Sequence, residues 1–210
     1  MKYIQPYKTI KNALASLDNG GRFYNLITQA NDGNISKAEL GKVAGIFNDR
    51  QKMILYLEMS IFYLKEQSFG DIQKFLSDDL KQAYLKHRPQ RLQPSQAQVE
   101  GKLSSNAIIS GIPRYVKSNS EFQGFIIIPV SAGKVMTMVL VPIIDQYDVY
   151  ELRDDNTSEE FIIAHARSPK KLIEEQYRFG GILKALQKSK KDVSPSVKYL
   201  ETQYYTLINK

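Results

Sequence analysis

Phe125-Ile126-Ile127-Ile128-Pro129-Val130 begins the part of the chain, from Phe122 to Leu186, that decides the fold. Short apolar runs rich in β-branched and aromatic residues alternate there with turn-forming residues, which is typical of consecutive strands. We predict a small antiparallel β domain of five or six strands, and an OB-like barrel is one architecture that fits this pattern. The later runs are Val135-Met136-Thr137-Met138-Val139-Leu140-Val141, Val149-Tyr150-Glu151-Leu152 and Phe161-Ile162-Ile163-Ala164.

Residues 172–186 fit either a strand or a helix, because Leu172, Phe179, Leu183 and Leu186 also share one helical face. The pair Gly180-Gly181 favours a strand, since each glycine costs a helix interior about 1 kcal/mol relative to alanine. Pro129 and Pro142 interrupt apolar runs, so we expect edges, bulges or barrel corners at both.

Amphipathic helical patterns occupy the first ninety residues and the end of the chain. Ile54, Leu57, Ile61 and Leu64 recur at spacings of three and four, and Ser36 with Glu39 matches a capping box. Val197, Leu200, Tyr204 and Leu207 have helical spacing too, which predicts a C-terminal helix. The predicted fold class is therefore α+β, with a helical bundle at residues 1–90, a polar linker at 91–106, and a β domain with a basic C-terminal helix at 107–210.

Composition limits the classes of function. The 210 residues carry a net charge of +7 and no cysteine, which excludes disulfides and thiolate zinc sites. No run of apolar residues reaches the length of a membrane span, and no signal-peptide pattern opens the chain, so we expect a cytoplasmic protein without membrane contact. From Arg167 to Lys210, ten Lys and Arg residues face four acids, which favours polyanionic partners.

Motifs for chemistry are weak throughout the chain. The segment from Asp32 to Glu39 resembles the second half of an EF-hand loop, but this alignment puts Ala30 at a ligand position, so we expect no calcium. Val135 occupies the position where a phosphate loop would have Ser or Thr. Neither His87 nor His165 has a partner at metal spacing, and Asp154, Asp155, Glu159 and Glu160 are typical of a solvated turn. We predict a protein that is not an enzyme and needs no metal or cofactor.

Basic and aromatic residues interleave in the β region, which is the remaining functional signal. Aromatic rings can stack on bases while cations contact the phosphates. We therefore predict a non-enzymatic binding or regulatory protein, with single-stranded nucleic acid as the leading candidate ligand. The alternative is a protein–protein adaptor that uses the helical bundle and the Tyr-rich tail. The predicted nucleic-acid-binding residues are Arg114, Tyr115, Lys117, Phe122, Arg153 and Arg178.

Overall fold

The chain forms two compact units, Lys2–Pro89 and Gln90–Lys210, with Met1 belonging to the second. The structure is a computed structural model, and it describes residues 1–20, 29–64, 66–117, 122, 124–132, 135–154, 159–186 and 197–208.

Helices make up most of the N-terminal unit. The Ser36 hydroxyl accepts a hydrogen bond from the Glu39 amide, while the Glu39 carboxylate accepts one from the Ser36 amide, so the predicted capping box is present. Asp49 caps the third helix through the Lys52 amide. The elements are β1 (Lys2–Tyr3), α1 (Ile10–Leu17), α2 (Lys37–Ala44), α3 (Arg50–Ile61), α4 (Glu66–Phe75) and α5 (Asp78–His87).

Helix α3 is the centre of this unit, because every residue from 53 to 61 is buried. The Glu58 carboxylate lies within that buried stretch, and the Tyr84 hydroxyl of α5 donates a hydrogen bond of 2.5 Å to it. Burial of a carboxylate requires such a partner. Residues 53–61 are thus buried on every side of the helix, including the apolar positions Ile54, Leu57 and Ile61 that the sequence spacing identifies.

The Asp32-Gly33 turn is stabilised by protein groups. The Asp18 carboxylate accepts hydrogen bonds from the amides of Asp32 and Gly33, at 3.2 and 2.9 Å. Gly33 has a φ of +78°, a left-handed conformation that glycine adopts without strain. Ile35, which follows the turn, forms a parallel bridge with Leu76, so the starts of α2 and α5 lie side by side.

Strands dominate the C-terminal unit, together with two short helices. The elements are β2 (Gln90–Leu92), α6 (Pro94–Glu100), β3 (Asn106–Tyr115), β4 (Phe125–Ala132), β5 (Val135–Pro142), α7 (Ile143–Gln146), β6 (Tyr147–Arg153), β7 (Glu160–Ala166), β8 (Tyr177–Leu186) and β9 (Val197–Leu207).

Five of these strands pair in a closed ring. The first half of β3 pairs with β8 and its second half with β6; β6 pairs with β7, β7 with β9, and β9 with β8. Within the ring, β7–β9 is parallel and the other four pairs are antiparallel; β2, outside the ring, pairs with β3 in parallel. The ring closes near a bulge at Gly181, where an added Cβ would lie 2.4 Å from the Glu201 carbonyl oxygen.

Two hydrophobic clusters lie on opposite faces of the ring. The inner cluster includes Tyr150, Phe161, Phe179 and Leu200, together with Ala97 of α6, which packs against β3, β7 and β9. The outer cluster joins the ring to the hairpin β4–β5 and to α7 through Val149, Ile162, Ala164, Ile126 and Ile143. Because strand residues alternate between faces, β6, β7, β8 and β9 each contribute to both clusters.

The predicted fold class is wrong in its sheet and in its C-terminal helix. The chain is mixed α/β, with seven helices among the described residues and helices in both units, rather than a helical bundle followed by an antiparallel β domain. The parallel pairs overturn the antiparallel prediction. Residues 177–186, which fitted a strand or a helix, form β8.

The predicted C-terminal helix is strand β9. Both faces of β9 are buried, with Leu200 in the inner cluster and Tyr199 in the outer one. Its pairing with β8 shifts register between Gly180 and Gly181, so one extra residue of β9 separates the partners Thr202 and Tyr204. Two buried faces and one bulge produce apolar spacings of three and four without a helix.

The segment predicted as a linker, residues 91–106, is an ordered part of the C-terminal unit. It contains most of β2, all of α6 and the first residue of β3. The Gln90 side chain accepts a hydrogen bond of 2.8 Å from the Lys102 amide, and the Ser104 amide donates to the Leu183 carbonyl oxygen at 2.8 Å. The polar composition of this segment therefore belongs to a surface helix. The predicted domain boundaries stay a prediction.

Among the described residues, no helix is both long enough and apolar enough to span a lipid bilayer.

Candidate functional site

The predicted arginines lie on the outer face of the ring, and carboxylates neutralise two of them. Arg114 forms a salt bridge with Glu151, its cross-strand neighbour on β6. Arg153 Nε lies 3.0 Å from Glu160 Oε1 on β7. Arg178 is 9% exposed, with Ser110 and Thr206 as its register partners. The outer face thus holds all three cations, but two of them are paired and the third is buried.

The other three predicted residues are placed apart from these arginines. Tyr115 packs against the inner cluster, and its ring centroid lies 5.3 Å from that of Tyr150. Phe122 packs against the outer cluster, whereas Lys117 is exposed just after β3. Tyr115 therefore faces the opposite side of β3 from Arg114, and Phe122 packs against the cluster on the same face as the arginines.

A network of ionisable groups lies at one end of the ring's interior. We call it the barrel-end network, and it consists of Asp148, Tyr150, His165, Ser168 and Lys171. The Asp148 carboxylate is 1% exposed, accepts a hydrogen bond of 2.8 Å from the Ser168 amide and forms a salt bridge with Lys171. This bond raises the pKa of the Lys171 ammonium. The network attaches the segment after β7 to the ring.

His165 belongs to this network through its ring. It stacks on Tyr150, with ring centroids 5.7 Å apart, and Nδ1 donates to the Ala166 carbonyl oxygen at 2.6 Å. Burial lowers the pKa of His165, and the same effect raises the pKa of the Tyr150 hydroxyl. With the proton on Nδ1, the buried Nε2 has no hydrogen-bond partner in the described part of the chain. The imidazole is therefore held neutral.

A cleft of about 710 Å³ lies on the outer face, between the ring and strand β4. Its ring wall includes Tyr147, Lys184, Ala185 and Tyr199, which come from β6, β8 and β9. Its hairpin wall is the run 126–128 of β4. Both its volume and its mixture of apolar and polar lining are typical of ligand sites. The remaining lining residues are Leu103, Ser104, Gln146 and Ala166.

Glu201 organises the polar side of the cleft. Its carboxylate accepts a hydrogen bond of 3.0 Å from the Tyr147 hydroxyl and lies 2.7 Å from the Lys184 ammonium. Burial, followed by the charge of Glu201 and this hydrogen bond, raises the pKa of Tyr147 to about 12. Burial also raises the pKa of Tyr199. Both hydroxyls therefore stay protonated at neutral pH, and we call Tyr147, Lys184 and Glu201 the cleft network.

The hairpin wall exposes the edge of a strand. Ile126 is buried against the outer cluster, whereas Ile127, its neighbour, is 48% exposed. Consecutive residues point to opposite faces of a strand, so a cleft that meets Ile126, Ile127 and Ile128 must meet the strand edge between those faces. Among the described residues, only β5 pairs with β4.

A metal site is not formed by the described residues. They contain no cluster of three or more His, Asp or Glu side chains placed to hold a metal ion. Asp154 accepts a hydrogen bond of 2.9 Å from the Ser95 hydroxyl, and Glu160 pairs with Arg153. The predicted acidic turn also includes Asp155 and Glu159, and of these Asp155 lies outside the described residues.

Sequence reasoning missed the cleft because it assigned residues 197–207 to a helix. As a strand, this segment places Tyr199 and Glu201 on one face, and Tyr199 directly opposite Lys184 on β8. The available signal was an alternation, with Tyr199 and Glu201 on one side of the strand and Leu200 and Thr202 on the other. The bulge farther along the strand obscures this alternation in the sequence.

Comparisons with known proteins leave the chain without an assigned family. No protein-family model matches it, and no curated protein sequence matches it. A solved structure similar to it in part is an aspartyl tRNA synthetase from Entamoeba histolytica, with a TM-score of 0.31 and 11% sequence identity. That match covers 59% of this chain and 22% of the synthetase. A likeness this weak carries no argument about fold or function.

Proposed function

We propose that this chain is a non-enzymatic binding protein whose C-terminal unit holds an extended segment of a partner polypeptide in the cleft between β4 and the ring. The observation that carries this proposal is the cleft itself, which combines an isoleucine-lined strand edge with the polar cleft network. Pockets that bind peptides commonly join apolar contacts to a few fixed polar groups.

A polypeptide suits this cleft better than a nucleic acid base. Bases stack on open aromatic faces, but Tyr199 is only 3% exposed. Tyr147 is half-buried, and its hydroxyl donates a hydrogen bond to Glu201. The hairpin wall offers aliphatic side chains and backbone instead. The Tyr-rich tail, on which the predicted adaptor alternative relied, forms β9, where Tyr199 and Tyr204 are each 3% exposed. The cleft therefore takes the place of the tail as the proposed contact surface.

Peptide selection tests this function. Random peptides of about 12 residues, enough for one strand, would be displayed on phage and selected on the immobilised full chain. Enriched sequences would be synthesised and titrated by calorimetry. Leu103 is 46% exposed and lines the cleft, so Leu103→Trp should fill it and weaken binding at least about tenfold, or 1.4 kcal/mol.

Ile173→Trp is the matched control, because Ile173 is 60% exposed and does not line the cleft. It should leave peptide affinity within about twofold of the wild type, a change of about 0.4 kcal/mol. Failure to enrich any peptide, or enriched peptides that bind both variants equally, would overturn the proposal.

Single-stranded nucleic acid is the second candidate ligand, and the basic charge favours it. The chain carries +7, Lys184 lines the cleft, and the exposed Arg167 follows the lining residue Ala166. Anisotropy with a labelled oligonucleotide, measured at two salt concentrations, should then show log K falling with log salt by about 0.7 per neutralised phosphate. Lys184→Ala and Arg167→Ala should each lower that slope, while absence of binding at low salt would remove this candidate.

A further inference from the structure

We infer that the partner segment adds to the sheet as a new strand at the cleft edge of β4, that it pairs with the backbone of Ile127, and that it carries a carboxylate toward Lys184. This inference rests on the proposed function, and it adds how the partner segment binds in the cleft. Three independent features of the described residues support it: the register of the hairpin, the exposure of its two faces, and the charge of the cleft lining.

The two prolines of the hairpin determine which backbone groups point into the cleft. Opposed residues of an antiparallel pair alternate between hydrogen-bonded and non-hydrogen-bonded sets. Pro129 lies opposite Met138 and Pro142 opposite Phe125, so both prolines fall in the same set. Proline has no N–H to donate, and this set is therefore the one without ladder hydrogen bonds.

Ile127 belongs to the same set, because it lies opposite Leu140, between the two proline-containing pairs. Its N–H and C=O consequently point away from β5 and toward the free edge of β4. That edge faces β8, whose Lys184 and Ala185 line the other side of the cleft. An extended peptide in the cleft can pair with both groups of Ile127, as strands added to sheet edges do.

The hairpin face that points away from the ring is apolar and exposed. On the face away from the ring, Ile127, Met136 and Met138 are 48%, 70% and 65% exposed. Met136 and Met138 lie on β5 and share this face with Ile127 through the pairing register. An added strand with alternate apolar residues would extend this apolar row, and its other residues would face the ring wall.

Charge selects an acidic partner. Lys184 is the single charged residue among the described residues that line the cleft. Its side chain is 45% exposed, whereas that of its partner Glu201 is 18% exposed, so the ammonium retains an open side. A carboxylate on the ring-facing side of the added strand would complement that open side, and the net charge of +7 favours the approach of an acidic segment.

Two proline variants test the backbone pairing. Ile127→Pro removes the N–H at the cleft edge and leaves the β4–β5 ladder intact. Leu140→Pro is its matched control, since Leu140 is the register partner whose N–H points away from β4 on the opposite edge. We expect the selected peptide to bind Ile127→Pro about tenfold more weakly, and Leu140→Pro with unchanged affinity.

Methylated peptides provide the same test on the unaltered protein, which covers the case that Ile127→Pro does not fold. A series of peptides, each with one backbone N-methyl group, should lose affinity at every second position, because alternate amides of an added strand point to β4. Replacing the acid of the peptide with its amide should weaken binding to the wild type but have little further effect on Lys184→Met.

The outcomes separate this inference from the proposed function. Binding that Leu103→Trp abolishes, but that neither Ile127→Pro nor any periodic methylation affects, would overturn strand addition and leave the cleft as the binding site. Binding insensitive to Leu103→Trp would overturn both. Displacement of the peptide by an oligonucleotide, without a role for Ile127, would assign the cleft to nucleic acid and also overturn the inference.

Discussion

The barrel-end network and the cleft network contain the same chemical groups in different surroundings. Each joins a lysine to a carboxylate, Lys171 to Asp148 and Lys184 to Glu201, and each includes a tyrosine whose pKa burial raises. The first network lies inside the ring and fixes a connecting segment. The second lies beside a cleft of about 710 Å³. Open space beside the groups, rather than their identity, therefore distinguishes the proposed binding site from the structural network.

The largest expected effect is on the barrel-end network. Lys171→Ala would leave the buried Asp148 carboxylate without its cation, which should lower the free energy of unfolding by about 3 kcal/mol. Chemical denaturation measures this, and Lys170→Ala is the control, since Lys170 is exposed and one residue away. Equal stability of the two variants would show that the network does not hold the connecting segment.

The pH dependence of stability should isolate His165. Its pKa is lowered in the folded protein, so the unfolded chain binds its proton first and stability falls as pH drops below about 6.5. Asp148, Lys171 and the Met1 ammonium are the charges that act on it. The loss is at most about 1.4 kcal/mol per pH unit. His165→Phe keeps an aromatic ring on Tyr150 and should reduce this loss between pH 7 and 5.

His87, whose pKa burial also lowers, remains in both proteins and cancels in the difference between their profiles. Parallel profiles for the wild type and His165→Phe would contradict the assignment of a buried neutral imidazole.

Removal of the Tyr147 hydroxyl should have a smaller effect on stability. Tyr147→Phe loses the hydrogen bond to Glu201, at a cost of about 1 kcal/mol. Selective ¹³C labelling of tyrosine, followed by NMR at alkaline pH, should show one resonance with a pKa of about 12 that disappears in this variant. A Tyr147 that titrates at the ordinary value of about 10 would contradict the geometry of the cleft network.

The smallest effect on stability should come from Lys184→Ala. This half-exposed lysine contributes less than about 1 kcal/mol through its salt bridge, because water screens exposed pairs. Its effect on peptide affinity should nevertheless exceed that of Lys171→Ala. The reverse order of the two variants, in either stability or affinity, would contradict a structural role for the barrel-end network and a binding role for the cleft network.

Local sequence signals predicted the single elements more successfully than their arrangement. The β-branched runs became β4 to β7, Gly180-Gly181 marked strand β8, and Ser36 with Glu39 formed the capping box. Residues 197–207 defeated the prediction because burial of both faces plus a bulge imitates helical spacing. The cleft depends on contacts between strands that are far apart along the chain, such as Tyr147 of β6 with Glu201 of β9, and no local spacing encodes that contact.

The most direct test of a polypeptide ligand in the cleft is an NMR titration of the ¹⁵N-labelled full chain with the selected peptide. The largest amide shifts should occur at Ser104, Ile127 and Ala185, on both walls of the cleft, and the Ile127 amide should become protected from hydrogen exchange. Shifts confined to the N-terminal unit or to the barrel-end network, with the cleft amides unchanged, would contradict peptide binding in the cleft.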